Sequence, residues 1–318
     1  MKGRFEEIDL SRVTPVPIAG RRSKVAVGDI VDPRRLQALT GAGFEDALPD
    51  ILAARALKRV ASALHEARAA DRERVWMVGA HTIKCGLSGY LAALIEEGYI
   101  TCLASTGSAV IHDLELAFFG KTSEDVGAEL GAGRFGMSAE TAAHFEAACA
   151  RADELGVGLG AGVGAYVDTA GAEHAGASVY RAAYLRDVPT TVHVAFGTDI
   201  THQHPGFPAA RVGELTMRDF RVFAHRVGRA FEGGVVVLMG SAVVLPEVFL
   251  KAVSINYNLG RQPSGVVAAS FDMLPQYRVR ENVLGRPFQS GGEAHAITGH
   301  HEIMLPLLYG LLRARSQR

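Results

Sequence analysis

The segment 190–196, TTVHVAF, restricts the possible folds of this chain more than any other stretch. It is a short run of β-branched and apolar residues, with Pro189 before it and Gly197 after it. A run of this kind is typical of a strand buried on both faces, as in parallel sheets. Polar residues follow at once, beginning with Thr198 and Asp199. Because ligands of open α/β sheets bind beyond the carboxyl ends of the strands, this end of the segment is a candidate site.

Short apolar runs alternate with helix-like segments over most of the chain. The pattern predicts five strands, at 75–79, 100–104, 190–196, 235–238 and 265–269. It predicts helices at 44–70, 86–97, 109–119, 138–155, 217–231, 243–254 and 302–315. Such alternation favours a parallel sheet with right-handed crossovers and helices on both faces. We therefore predict an α/β fold with a single domain over 45–318, preceded by an arm over 1–44 that wraps the body or a partner subunit.

A glycine-rich segment, GVGLGAGVG at 156–164, interrupts this pattern. Part of it loosely matches the dinucleotide-binding fingerprint. No clear strand precedes it, however, and the acidic residue expected about 20 positions further on is not evident. We therefore interpret the segment as a tightly packed glycine-rich turn or helix contact.

The composition argues against a nucleic-acid-binding, membrane or disulfide-bonded protein. Lys+Arg 33 against Asp+Glu 34 gives a formal net charge of -1, which provides no overall attraction for nucleic acid or an anionic membrane. No run approaches the ~18 apolar residues of a membrane span, and the first residues lack the apolar core of a signal peptide. The three cysteines have no paired spacing, which is typical of reduced thiols. We expect a cytoplasmic protein that binds a small-molecule substrate.

Each predicted strand ends in small or polar residues directly before a helix begins. The five strand ends are 79–82, 105–108, 197–199, 240–242 and 270–272. Glycine allows a ligand to approach the backbone closely, and helix N-termini present unpaired N–H groups to anions. One such turn is ordinary, because short loops need Gly, Ser and Thr. Five at one edge of a sheet predict a pocket that could accept a nucleotide.

Histidines form a second group near the same edge. His112 follows the second predicted strand, His202 and His204 follow the third, and His300 and His301 precede the final helix. Imidazole titrates near neutral pH, so these residues are candidates for an acid, a base or a substrate anchor. The two loop histidines, spaced i and i+2, could also chelate a divalent metal, and the cluster His300-His301-Glu302 could complete the ligand shell. The candidate metal ligands are His112, His202, His204 and His301.

Motifs at three of the strand ends resemble those of the deoxyhypusine synthase family. Segment 105–109, STGSA, resembles a glycine-rich turn of that family, and His112-Asp113-Leu114 stands where the family has an acidic cluster. Thr198 and Asp199 match a T-D pair, and segment 240–244, GSAVV, resembles a G-G-G-V-V turn. The resemblance implies a Rossmann-like sheet with helices on both faces and NAD at the strand ends. It also implies a homotetramer or homodimer with active sites at the subunit interface.

Other positions depart from the family. The imine-forming lysine lies in a segment that corresponds here to 298–301, TGHH, so that lysine is absent. His204 stands in place of a polyamine-binding acid, and Pro246, with Glu247 beside it, in place of a histidine. Lys84 faces the predicted cleft, where we expect it to be solvated or to pair with a phosphate. Because imidazole cannot form the stable imine of a lysine amine, true deoxyhypusine synthesis is not expected.

Three functional hypotheses follow. In the first, the chain is an NAD-binding enzyme that acts on an amine, a polyamine or a related small molecule by transient removal and return of hydride. In the second, the histidines hold a divalent metal in a hydrolase or lyase, and in the third the chain is a non-catalytic ligand-binding protein. In the first hypothesis the nucleotide-binding residues are Thr106, Gly107, Ser108, Asp199, Gly240, Ser241 and Asp272, with the two aspartates as partners of ribose hydroxyls. The expected catalytic residues are His202, His204, His300 and His301, and the expected substrate contacts are His81, Lys84, His112, Asp113 and Glu247.

Overall fold

A computed structural model of the chain describes residues 10–30, 44–289 and 291–317. The strands are β1 (Ser23–Ala26), β2 (Arg74–Val78), β3 (Cys102–Thr106), β4 (Lys121–Glu124), β5 (Thr190–His193), β6 (Val235–Met239), β7 (Val266–Asp272) and β8 (Gly292–Thr298). Six of them form one sheet in the order β5-β3-β2-β6-β7-β8, and every neighbouring pair is parallel. The other two, β1 and β4, form a small antiparallel pair.

Helices cover both faces of the large sheet. They are α1 (Leu52–Ala69), α2 (Ala80–Lys84), α3 (Ser88–Glu96), α4 (Gly107–Phe119), α5 (Val126–Leu130), α6 (Ala139–Leu155), α7 (Leu159–Thr169), α8 (Val179–Tyr184), α9 (Ala209–Ala230), α10 (Val244–Asn258) and α11 (His301–Ser316). An irregular helical segment covers 277–288. One core cluster joins the sheet to α1, α3 and α11, and a second joins its other face to α9 and α10. The predicted α/β class is confirmed.

The central strands are buried along their whole length. Every residue of β2 and β6 is buried. Because side chains alternate between faces, Trp76 contributes to the cluster with α1, α3 and α11, whereas Met77 contributes to the cluster with α9 and α10. Burial on both faces explains why these strands lack the polar alternation of a half-exposed sheet.

The sequence did not predict three of the eight strands. We expected 265–269 to be the last strand, yet β8 lies beyond it and pairs with β7 at the edge of the sheet. Most β8 residues are exposed or half-buried, so the strand has no continuous apolar run that marks it in the sequence. The strands β1 and β4 were missed for the same reason, since both alternate in burial over only four residues.

The glycine-rich segment forms the start of α7, and the interpretation as a helix contact is confirmed. A Cβ added at Gly160 would lie 2.3 Å from the carbonyl oxygen of Thr190, which is on β5. A Cβ added at Gly162 would lie 2.3 Å from the Cβ of Ala152 on α6. Glycine therefore lets α7 approach its neighbours more closely than any residue with a side chain would allow.

Residues 10–30 of the predicted arm lie against α4 and α6. Arg21 forms a buried ion pair with Glu115 at 2.7 Å, and the backbone N–H of Ile18 donates to the Glu140 carboxylate at 2.8 Å. The rest of the predicted arm falls largely outside the described residues, so its boundary at residue 44 stays a prediction. Within the described ranges, no helix is long and apolar enough to cross a membrane.

Candidate functional site

The strand order places a crevice between β2 and β6. Numbered by appearance in the large sheet, the strands lie in the order 3-2-1-4-5-6. In such sheets the connections reverse direction between the first and fourth strands, and ligands bind beyond the carboxyl ends at that point. Here those ends are Gly79 and Gly240. The two backbones touch, because a Cβ added at Gly79 would lie 1.9 Å from the carbonyl oxygen of Gly240.

A cavity of about 170 Å³ lies beside this crevice, at the carboxyl ends of β3 and β5. Four of the residues that the sequence singled out line it together. They are Lys84, Ser108, His112 and Asp199. Charged residues complete the wall: Arg21 from the arm, Glu115 from α4 and Glu124 from β4.

Asp199 lies at the N-terminus of α4, the helix that follows β3. Its carboxylate accepts a hydrogen bond from the backbone N–H of Ser108, and its Oδ2 is so close to Gly107 that a Cβ there would lie 2.1 Å away. Burial raises the pKa of Asp199 to about 6. The helix dipole stabilises a carboxylate in this place. Because an anion already occupies the helix terminus, this corner suits hydroxyl or ammonium donors better than a phosphate.

His112 lies in the same cavity as a neutral imidazole. The Thr122 hydroxyl donates to the Glu115 carboxylate at 2.5 Å, so it accepts from His112 Nδ1 at 2.7 Å. This assignment leaves Nε2 of His112 as a hydrogen-bond acceptor. Burial lowers the pKa of His112 to about 4, a net value in which the charges of Lys84 and Arg21 act in the same direction and Glu115 opposes them. His112 can therefore accept a hydrogen bond at neutral pH but stays uncharged.

A second cluster lies around α2 and the start of α11. The Nε2 atom of His81 lies 3.2 Å from the Sγ of Cys85, and the ring of His81 meets the ring of His301 edge-on with centroids 5.4 Å apart. His301 donates from Nε2 to the carbonyl oxygen of Phe271 at 3.1 Å. Its Nδ1 is buried without a hydrogen-bond partner, an arrangement that is costly and uncommon in native proteins.

The four predicted catalytic histidines do not converge. His202 and His204 follow β5 at one edge of the sheet, while His300 and His301 follow β8 at the other. His202 accepts at Nδ1 from the backbone N–H groups of Gly197 and Asp199, both at 3.1 Å, and its protonated Nε2 is buried without a partner. His204 is buried and contacts the Gly136 carbonyl oxygen through Nε2 at 2.8 Å.

Four other predicted residues already have structural partners. The Asp113 carboxylate accepts from the Ser178 hydroxyl at 2.5 Å and from a backbone N–H of α8 at 2.8 Å, and burial raises its pKa to about 7. Ser241 accepts from the first turn of α10 at 3.3 Å, and Asp272 accepts from the N–H of Leu274 at 3.3 Å. Glu247 pairs on the surface with Lys251 and Arg278. For these residues a ligand role stays a prediction.

The four histidines proposed as metal ligands are likewise not grouped. In the part of the chain that the structure describes, one set of at least three His, Cys, Asp or Glu side chains has its ligand atoms within 4.8 Å of one another. That set is His81, Cys85 and Glu302. From the sequence we predicted His81 as a substrate contact and Glu302 as part of a His300-His301-Glu302 cluster that could complete a metal site, but we did not predict Cys85. The i, i+4 spacing of His81 and Cys85 is a signal that could have found it.

Several known proteins share the fold of this chain. A family model described as the C-terminal, Rossmann-fold domain of ArgZ-like arginine dihydrolases matches residues 58–150. No curated protein matches the chain in sequence. A structure of AgrE in complex with ornithine and NAD+ is 15% identical, covers 89% of this chain and 34% of its own, and has a TM-score of 0.53.

Two further solved structures share the fold. A conserved protein from Methanococcus maripaludis S2 assigned to the LOR/SDH group is 18% identical, covers 82% of this chain and 69% of its own, and has a TM-score of 0.51. A protein from Entamoeba histolytica assigned as a deoxyhypusine synthase is 11% identical, covers 84% of this chain and 90% of its own, and has a TM-score of 0.50. The fold resemblance to deoxyhypusine synthases is thus supported, and it is shared with AgrE and LOR/SDH proteins. The chain spans about a third of the AgrE and ArgZ chains.

Proposed function

We propose that this protein is an NAD-binding enzyme that acts on an amine or a related small molecule. The observation that carries the proposal is the buried Asp199 carboxylate at the end of β3, beside the glycine crevice of a sheet with the order 3-2-1-4-5-6. In dinucleotide-binding folds of this order, an acidic residue near the end of the second strand accepts hydrogen bonds from the ribose hydroxyls. Here Asp199 reaches that place from the neighbouring strand β5.

Two residues of the cavity wall fit a dinucleotide. Asp199 provides the acceptor for the ribose. Lys84 brings a cation to the same cavity wall and could pair with a phosphate. AgrE, which shares the fold, has been observed with ornithine and NAD+ together, and this supports a cofactor and an amine on one such scaffold.

The first β-α turn differs from the usual fingerprint. It reads Gly79-Ala80-His81-Thr82, without the G-x-G-x-x-G spacing, and α2 behind it has only five residues. A helix this short has a small dipole, so we expect Lys84 to supply much of the charge that neutralises the pyrophosphate. NAD, when bound, would supply a hydride acceptor. Glu124, a second buried acid of the cavity wall, is a candidate partner for the ammonium group of a substrate.

Calorimetric titration of NAD and NADP into nucleotide-free protein tests the proposal. We expect NAD to bind and NADP to bind more weakly, because the 2′-phosphate would meet the Asp199 carboxylate. Asp199→Asn should weaken NAD binding by about 10- to 100-fold, because it removes a charged hydrogen-bond acceptor that contributes roughly 1.5–3 kcal/mol. The control is Asp187→Asn, at an exposed position. Absence of NAD binding, or equal affinity of Asp199→Asn and the control, would refute the assignment.

A further inference from the structure

We propose that His81, Cys85 and Glu302 form a binding site for a divalent transition metal of the Zn²⁺ type. The site lies at the carboxyl edge of the sheet, beside the glycine crevice, and none of its ligands is one of the four histidines predicted from the sequence as metal ligands. It does not depend on the proposed cofactor, because all three ligands are side chains of the protein.

The backbone holds two of the ligands in position. His81 lies within α2, and Cys85 caps its C-terminus with its N–H bonded to the His81 carbonyl oxygen at 3.0 Å. Residues four apart in a helix lie on the same face. Glu302 comes from the first turn of α11, more than 200 residues later in the chain, and completes the group.

The distances suit a tetrahedral ion. The Zn–S and Zn–N bond lengths of about 2.3 and 2.05 Å place S and N about 3.6 Å apart in a tetrahedral site. The observed separation of Cys85 Sγ and His81 Nε2 is 3.2 Å, so a shift of a few tenths of an ångström would suffice. All the ligand atoms lie within 4.8 Å of one another. One nitrogen, one sulfur and one oxygen ligand form a donor set that zinc accepts.

A ring contact holds the orientation of His81. The His301 ring lies edge-on against it, and His301 is itself held by its bond to the Phe271 carbonyl oxygen. In this orientation the His81 Nε2 lies 3.2 Å from the Cys85 sulfur.

The types of side chain in this group suit a metal ion. A metal ion prefers neutral imidazole and stabilises a thiolate by its own charge, so it can bring a histidine, a cysteine and a carboxylate together.

Three protein ligands leave a fourth tetrahedral position. Glu302 is exposed, and His81 and Cys85 are half-buried, so this position is open to water or to a substrate oxygen. Metal sites with three protein ligands and an open position are the catalytic kind, in which the ion polarises an oxygen or lowers the pKa of bound water. We therefore infer that the metal would act as a Lewis acid at the mouth of the crevice.

Titration of untagged full-length protein with Co²⁺, followed by competition with Zn²⁺, tests the site. We expect one Co²⁺ per chain and a thiolate-to-cobalt charge-transfer absorption in the near ultraviolet. Cys85→Ser should abolish that absorption, whereas Cys149→Ala, which removes a buried thiol elsewhere, should keep it. His81→Gln should weaken Co²⁺ binding about 100-fold or more. Changing a residue that only orients a ligand typically costs about 10- to 100-fold. Glu302→Gln should weaken binding, and Glu281→Gln should not.

Three outcomes would overturn the site. In the first, Co²⁺ does not bind in a stoichiometric amount. In the second, the charge-transfer absorption survives Cys85→Ser. In the third, Cys149→Ala loses as much of that absorption as Cys85→Ser does. Any of them would mean that the contact between His81 and Cys85 is only a hydrogen bond. The readout is spectroscopic and independent of NAD, so this site and the nucleotide site can fail separately.

Discussion

The contact between the ends of β2 and β6 gives a direct test of how the crevice is built. Gly79 has φ -81° and ψ 165°, an extended conformation that any residue can adopt. Its backbone therefore does not require glycine. A methyl group at this position would lie 1.9 Å from the Gly240 carbonyl oxygen, however, whereas carbon–oxygen contacts between strands are about 3.3 Å or longer. Gly79→Ala must push the two strand ends apart by roughly 1.4 Å.

We expect this displacement to lower the free energy of unfolding by about 3 kcal/mol, the upper end of the usual cost of overpacking. The partner atom is a backbone carbonyl oxygen directly after the buried strand β6, so it cannot rotate away as a side chain could. Urea denaturation followed by circular dichroism measures the change. The control is Gly131→Ala, because Gly131 has φ -65° and no atom within 4 Å of an added Cβ. This variant should be neutral or slightly stabilised. Surface substitutions usually change the free energy of unfolding by less than about 0.5 kcal/mol. If the free energies of unfolding of Gly79→Ala and the control differ by no more than this, the two strand ends are not in contact.

Two further predictions concern buried ionisable groups. The Asp219 carboxylate accepts backbone N–H groups from α7 and β5 at 3.0 and 2.8 Å. Both bonds go to Oδ2, and the backbone N–H of Leu159 also donates to the carboxylate. Asp219→Asn therefore turns an NH₂ group toward at least one backbone N–H, and urea denaturation should show a loss of about 1–3 kcal/mol in the free energy of unfolding; an unchanged midpoint would contradict this. Burial lowers the pKa of His193 to about 3. A neutral buried histidine stabilises the fold above its unfolded pKa near 6.5, and this contribution is lost as the pH falls from 6.5 toward 3. Between pH 6.5 and 5, the free energy of unfolding of wild-type protein should therefore fall by about 2 kcal/mol more than that of His193→Leu. Equal pH dependence in both proteins would mean that His193 is charged or exposed.

The sequence predicted the parts of the fold that are encoded locally. The runs at β2 and β6 are apolar because both faces are buried, so composition alone indicates them. The strand β8 was missed because its side chains are mostly exposed or half-buried. The start of α9 was placed eight residues late, since Arg211 and Glu214 interrupt the apolar face that Val212 and Leu215 bury.

The candidate site was predictable only as far as one edge of the sheet. Strand ends can be recognised in a sequence, and parallel strands bring all their carboxyl ends to one side. Which ends are neighbours depends on the strand order, which no local pattern encodes. Asp199 contacts Ser108 because β5 pairs with β3, and Arg21 reaches Glu115 across 94 positions of sequence.

The two proposed sites share one helix at the same edge of the sheet. The helix α2 supplies Lys84 to the cavity with Asp199, and it supplies His81 to the cluster with Cys85 and Glu302. Lys84 is the neighbour of Cys85 at the end of α2, so a metal ion at that cluster would repel the Lys84 ammonium. Metal binding should therefore tighten when a carboxylate or phosphate pairs with Lys84. If the nucleotide and the metal both bind, linkage requires that each strengthens the other by the same factor.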